Sequence, residues 1–256
     1  MTFDIQGAAQ ALARGHRENT RFERIAGLAD LATAYRVQDA YVAEIIGDDR
    51  IVGYKIGLTS KKMQSMCGID HPIAGAVFGR RVWHSGARLS LGDFGRLGVE
   101  FEICARLGRD LPPRAAPYTR AEIAAAVDGV CAAVELVDDR AADYAVLDVA
   151  SLVADNSWNG GVVISEMVTP PADLETVEAI VYLDGVEIGR GVGADALGHP
   201  YEPVVWLSNH LGAGGRGMKK GDLVMTGSIV RTCFPEAAFA YRFDVAGIGS
   251  VEVSGA

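Results

Sequence analysis

Apolar residues recur at helical spacing over the first fifth of the chain and then give way to short apolar runs and alternation. Within residues 8–46 the positions of Leu28, Leu31, Tyr35, Ala40 and Ile45 predict two or three amphipathic helices. Residues 51–56 read as a short strand broken by Gly57 and Thr59-Ser60, with Ser60 placed to cap a helix through Lys61, Met63 and Met66. The stretch 68–93 is rich in glycine and turn residues, which predicts loops and short strands. Residues 97–107 are strongly strand-like, and Pro112, Pro113 and Pro117 make 110–117 a loop. Thr119-Arg120-Ala121-Glu122 has the form of a capping box, predicting a helix to about residue 127 and then a strand over 131–137.

The last hundred residues carry strand patterns at 177–183, 186–191, 223–226, 239–245 and 250–253, with one helix near 203–211. Asp184-Gly185 between two of those runs is a hairpin signal of the primed-turn type. Strands outnumber helices and many are joined by short turns, so the expected class is α+β with a mostly antiparallel or mixed sheet. Residues 1–50 are expected to form a helical region packed on a core of 51–256.

Composition narrows the function. With 256 residues, 49% hydrophobic and 22% charged, the chain has the make-up of an ordinary globular protein. A formal net charge of -9 without clustered Lys and Arg argues against a nucleic-acid partner. The opening MTFDIQGAAQALARG lacks the basic and apolar regions of a signal peptide, and no apolar run approaches the roughly 20 residues that span a bilayer, so no membrane partner is expected. Cys67, Cys104, Cys131 and Cys233 are scattered without a C-x-x-C pair and read as reduced structural thiols, which fits the cytoplasm.

The chemistry concentrates at Gly98-Val99-Glu100-Phe101-Glu102-Ile103-Cys104. Alternation in a strand puts Glu100 and Glu102 on one face and Val99, Phe101 and Ile103 on the other. Adjacent carboxylates repel unless they share a proton, are screened by water or hold a cation. Glu135 sits in the apolar run Ala132-Ala133-Val134-Glu135-Leu136-Val137, where burial would penalise an unpaired charge. Three carboxylates suit Mg²⁺ or Mn²⁺, yet a solvated strand face carrying acids by alternation accounts for the same spacing, and the pattern leaves both open. Lys55 is the one charge in Ile51-Val52-Gly53-Tyr54-Lys55-Ile56-Gly57; it is either an edge-strand solubiliser or a cation sharing a pocket with the acids.

Five blocks carry a resemblance: Gly53-Tyr54-Lys55-Ile56-Gly57-Leu58-Thr59-Ser60-Lys61, Gly98 to Glu102, Val134-Glu135-Leu136-Val137-Asp138, Ala154-Asp155-Asn156-Ser157, and Gly198-His199-Pro200 through Gly221-Asp222-Leu223-Val224-Met225-Thr226-Gly227-Ser228. In this order the chain resembles the 2-keto-4-pentenoate hydratase and 4-oxalocrotonate decarboxylase group of the fumarylacetoacetate hydrolase superfamily. The resemblance implies a mixed β-roll with an N-terminal helical part and a homo-oligomer, a dimer or a multiple of dimers. It implies metal-ligand roles for Glu100, Glu102 and Glu135 and an active-site role for Lys55. The Asp155-Asn156-Ser157 loop and the Thr226-Gly227-Ser228 turn are implied as walls of the substrate pocket. One departure is the apolar His71-Pro72-Ile73-Ala74-Gly75, where the hydratases usually carry an acidic or aromatic pair after the proline.

The expected activity is that of a metal-dependent lyase on a small unsaturated 2-keto acid, a hydratase acting through a metal-stabilised enolate. A 4-oxalocrotonate-type decarboxylase, an acylpyruvate hydrolase or oxaloacetate decarboxylase share that intermediate and are the alternatives, with a non-catalytic binding protein as the rival of another class. The group delivering the proton or water is expected among Lys55, Asp70 and Glu100. Other signals are weaker. Gly189-Arg190-Gly191-Val192-Gly193 lacks nucleotide-binding spacing and reads as a turn leaving the hairpin. His199 is expected to cap or bond a turn. His16 and Glu18 have the wrong spacing for a lid pair, and Ser157 and Ser228 lack a His-Asp partner nearby.

Overall fold

A computed structural model describes residues 2–256. Two helices come first, α1 (Ile5–Arg17) and α2 (Leu31–Ile46), capped by the carboxylates of Asp4 and Asp30, which accept from the backbone of Gly7 and Thr33. Strand β1 (Ile51–Gly57) and helix α3 (Lys61–Met66) follow, with Ser60 capping α3 as its position in the sequence requires. Next are β2 (Ile73–Phe78), β3 (Val82–His84), β4 (Ala87–Leu89) and the long β5 (Leu97–Leu107). The Thr119–Glu122 capping box starts α4 (Arg120–Ala124), which leads to β6 (Val127–Asp138).

After α5 (Val149–Ala154) and β7 (Asn159–Ile164) comes the hairpin of β8 (Glu178–Leu183) and β9 (Val186–Val192). Its turn residues Asp184 and Gly185 both have positive φ, as a primed turn demands. The chain ends with α6 (Tyr201–Ala213), β10 (Leu223–Met225), β11 (Val230–Cys233), β12 (Phe239–Val245) and β13 (Gly249–Gly255).

Two sheets result. The larger runs β2-β1-β10-β5-β6-β7-β3, with β11 also paired to β5, and the smaller runs β4-β13-β12-β8-β9. Parallel pairs at β1–β10, β3–β7 and β13–β4 make the sheets mixed, in keeping with the α+β β-roll expectation. The odd face of β5 supplies Val99, Phe101 and Ile103 to the main core, where Phe101 lies against Tyr241 and Phe243 at ring separations of 5.4 and 5.5 Å. A second core joins α1, α2 and α5 to β2 through Ala13, Val37, Val153 and Phe78. The even face of β5, carrying Glu100 and Glu102, is left for other use.

Several elements differ from the sequence reading. Helix α4 stops at Ala124, short of 127, because Val127 and Gly129 already pair with Leu107 and Arg106 and the Ala126 carbonyl accepts from Gly108. Residues 189–192 form part of β9, not a turn: at Gly191 a Cβ would lie 2.1 Å from the Ile229 carbonyl oxygen, so glycine permits the strand to pass. Strands β7 and β11 and helix α5 have no counterpart in the reading. The 68–93 stretch holds a fully buried strand, β2, paired antiparallel with β1.

Candidate metal centre

Antiparallel pairing of β5 with β6 sets Glu100 directly opposite Glu135 and Glu102 opposite Ala133. That register brings the three acids together: one oxygen of each of Glu100, Glu102 and Glu135 lies within 4.8 Å of the others. Glu102 and Glu135 are completely buried, whereas Glu100 is partly exposed, so the cluster opens to solvent on the Glu100 side. Lys55 reaches the same place from β1. Its Nζ, 4% exposed at residue level, sits 3.2 Å from Oε1 of Glu135, which makes it a pocket cation and not an edge-strand solubiliser.

Each carboxylate is held by one oxygen. Thr232 on β11 donates its hydroxyl to Glu100 Oε1 at 2.8 Å, the Gly227 N–H donates to Glu102 Oε2 at 2.7 Å, and Asn159 Nδ2 donates to Glu135 Oε1 at 2.9 Å. The opposite oxygens of the buried pair, Glu102 Oε1 and Glu135 Oε2, have no partner. An orphaned buried carboxylate oxygen is costly, and this site holds two. When all three carboxylates are ionised, Lys55 balances one of them and two negative charges remain. A divalent cation fits on every count: hard oxygen donors, oxygens free to bind and a matching charge.

Electrostatics agree. Burial pushes Glu102 well above the usual carboxylate range, and repulsion from Glu135 and Glu100 adds to it. Burial likewise pushes Glu135 up to about 7, against the pull of Lys55 and the bond from Asn159. Burial pulls the Lys55 ammonium down, but Glu135, Glu100 and Glu102 together outweigh it and hold it above its ordinary value. Lys55 is thus a charged donor in the metal-free protein, and desolvation does not make it a base.

The turn after β10 is built for this contact. Gly227 has φ 99°, and a Cβ there would lie 2.3 Å from Thr59 Oγ1, so its amide reaches Glu102 in a conformation that favours glycine. Thr226 donates to the Ile103 carbonyl, and the Ser228 hydroxyl accepts from the Phe101 N–H and donates to the Val230 carbonyl. Both side chains therefore bind the turn to β5, and the backbone between them meets the site.

The 155–159 segment is a tightly held connection. Both oxygens of Asp155 are committed: Oδ1 to His16 Nε2 at 2.7 Å and Oδ2 to Arg140 at 2.6 Å. Asn156 bonds the N–H and carbonyl of Ala76, and Ser157 donates to the Ala74 carbonyl. His16 consequently fastens α1 to the core, while Glu18 is exposed at the end of that helix. Asp70 stands apart: it is exposed, and its recorded bond is a backbone one, from Lys61 Nζ to its carbonyl. Ile73 belongs to β2 beside Lys55: a Cβ built on Gly57 would meet Lys55 Nζ at 3.3 Å and the Ile73 side chain at 3.4 Å. His199 Nδ1 accepts from the Tyr201 N–H, the turn bonding its position suggests.

Asn159 and Thr232 were invisible as site residues in the sequence. Thr232 lies on a strand the alternation did not reveal, and Asn159 opens one that a glycine pair obscured.

The sequence pattern described as "Fumarylacetoacetate (FAA) hydrolase C-terminal" matches residues 67–254, most of the chain and all three acids. The chain belongs to the fumarylacetoacetate hydrolase family. It is 33% identical over 242 residues to the 2-hydroxyhexa-2,4-dienoate hydratase of Comamonas testosteroni, covering 90% of each chain. It is 31% identical over 260 residues to the 2-keto-4-pentenoate hydratase of Burkholderia vietnamiensis, covering 98% of each. Among solved structures, 4-oxalocrotonate decarboxylase from Pseudomonas putida G7, complexed with magnesium and adipate, superposes with a TM-score of 0.93 at 24% identity, over 100% of this chain and 99% of that one. That likeness shares the fold of this family member across its whole length, helical region included.

Proposed function

We propose that this family member is a divalent-metal-dependent hydratase of small unsaturated 2-keto acids, of the 2-keto-4-pentenoate or 2-hydroxydienoate type. The observation that carries it is the set of three converging carboxylates, each fixed by one oxygen with the other left free, beside a buried ammonium. Support for the hydratase class comes from relatives above 30% identity that carry that activity in their names, the two described above among them. Glu100, Glu102 and Glu135 would hold Mg²⁺ or Mn²⁺, which supplies Lewis acidity toward the keto oxygen of a 2-keto acid.

The chain's own residues then have separable tasks. Lys55, a charged donor with a carboxylate-rich surrounding, binds the substrate's carboxylate or delivers a proton near Glu135. Its apolar neighbour Ile73 and the packed strands around it exclude water from that side, which strengthens each electrostatic contact. The partly exposed Glu100 borders the route by which substrate and water enter. Asp155 is read here as a brace for the loop and not as a pocket wall, because His16 and Arg140 occupy both its oxygens. Asn156, Ser157, Thr226 and Ser228 are read as braces too, each spent on backbone groups.

A panel of unsaturated 2-keto acids, assayed in parallel for water addition, CO₂ release and C–C cleavage with Mg²⁺ present, tests the reading. Water addition to a 2-hydroxydienoate should dominate. Dominant CO₂ release would assign a decarboxylase, and no turnover of any substrate by metal-loaded protein would sink the enzyme reading.

A further inference from the structure

Asn159 is the amide that holds Glu135, one of the two fully buried carboxylates, and it arrives there by an unusual route. Asn156, Ser157 and Trp158 have φ of 50°, 49° and 59°, three successive non-glycine residues in the left-handed region. Each such residue is in a disfavoured conformation, which persists only where the surroundings over-determine it. Here they do. Asp155 is clamped by His16 and Arg140, Asn156 bonds both backbone groups of Ala76, Ser157 bonds Ala74, and the Trp158 ring packs edge-on to Phe22 and Tyr144 at 5.2 and 5.8 Å. The turn they make ends on Asn159, whose Nδ2 donates to Glu135 Oε1 while its own Oδ1 is buried without a partner. An amide buried with one end unsatisfied carries a desolvation penalty that its single bond to Glu135 only partly offsets.

We infer that Asn159 is a positioning residue for the cation site: by occupying Oε1 of Glu135 together with Lys55, it turns Oε2 toward the ion. The left-handed turn and its Asp155 clamp exist to deliver that amide. Because Glu135 Oε1 takes bonds from both Lys55 and Asn159, removing the amide leaves the carboxylate one fixed contact about which it can swing. Removing a hydrogen-bond partner of a metal ligand typically weakens affinity 10- to 100-fold.

The inference rests on the cation reading of the same three acids, and the two fail on different proteins. Mn²⁺ binding is followed by the loss of its free-ion paramagnetic resonance signal, alongside thermal unfolding of the metal-free protein, for the parent and for Asn159→Leu and Asn159→Ala. Expected is a metal-free Tm in Asn159→Leu equal to or above the parent's, with the Mn²⁺ Kd raised about 10- to 100-fold. At saturating Mn²⁺, kcat should return to within a few-fold of the parent. A folded Asn159→Leu protein with parent-like Mn²⁺ affinity overturns the inference. Should that variant not fold, Asn159→Ala carries the same two outcomes. A parent that binds no Mn²⁺ overturns this inference and the cation reading together.

Discussion

A carboxylate buried in a strand has two oxygens to satisfy, and in Glu100, Glu102 and Glu135 a protein donor satisfies one of each. Such economy has a consequence for pH. Burial holds Glu102 well above the ordinary carboxylate range and Glu135 at about 7, against an unperturbed value of 4.5. An acid whose folded value lies above its unfolded one stabilises the fold fully below the unfolded value and loses that contribution as pH rises through the folded one. The metal-free protein should therefore weaken from about pH 4.5 to beyond 7, as Glu102 and Glu135 are made to ionise. A divalent cation competes with those protons and restores the loss where the acids are ionised. The rise in Tm on adding Mg²⁺, measured by calorimetry, should be several degrees greater at pH 8 than at pH 5.5. An increment independent of pH would contradict it.

Among the elements, the ones legible in the sequence are those whose own residues dictate them. Ser60 and Thr119 announce α3 and α4 because capping is local chemistry, and the alternation of β5 announces both its core face and its acid face. What could not be read depends on other parts of the chain. Strand β7 opens with Asn159-Gly160-Gly161, a turn-like run that becomes a strand only because β6 and β3 lie on either side. The left-handed turn at 156–158 is enforced by bonds from β2, eighty residues earlier. Gly227 is the case where an element's geometry and the site meet. Replacing it by Ala puts a Cβ against Thr59 in a strained backbone, which should cost about 2–3 kcal/mol and pull the amide from Glu102. Denaturant unfolding and Mg²⁺-dependent activity should both fall in Gly227→Ala; parent-like values of both would show that the turn is not built around that contact.

For the whole molecule, the division of labour follows the two faces of β5. One face is part of a continuous core with the smaller sheet, and the other carries Glu100 and Glu102 beside Glu135 and Lys55. The N-terminal helices add a second core and, through His16 and Asp155, a brace on the segment that reaches the site. No helix among the described residues is long and apolar enough to cross a membrane. Glu100, Glu102, Glu135 and Lys55 stand out in the sequence as charges in apolar strands, although that pattern by itself leaves a solvated face and a cation site both open. The hydrogen bonds that aim them do not stand out there, since Thr232, Gly227 and Asn159 come from three separate parts of the chain, β11, the turn after β10 and the start of β7. The central claim is that the three acids jointly hold one divalent ion, and calorimetric titration of the metal-free protein with Mn²⁺ measures it directly. One ion per chain is predicted for the parent, with affinity reduced at least about 100-fold in Glu102→Gln and Glu135→Gln, beyond what loss of an outer contact gives; equal binding by the parent and both variants would contradict the account.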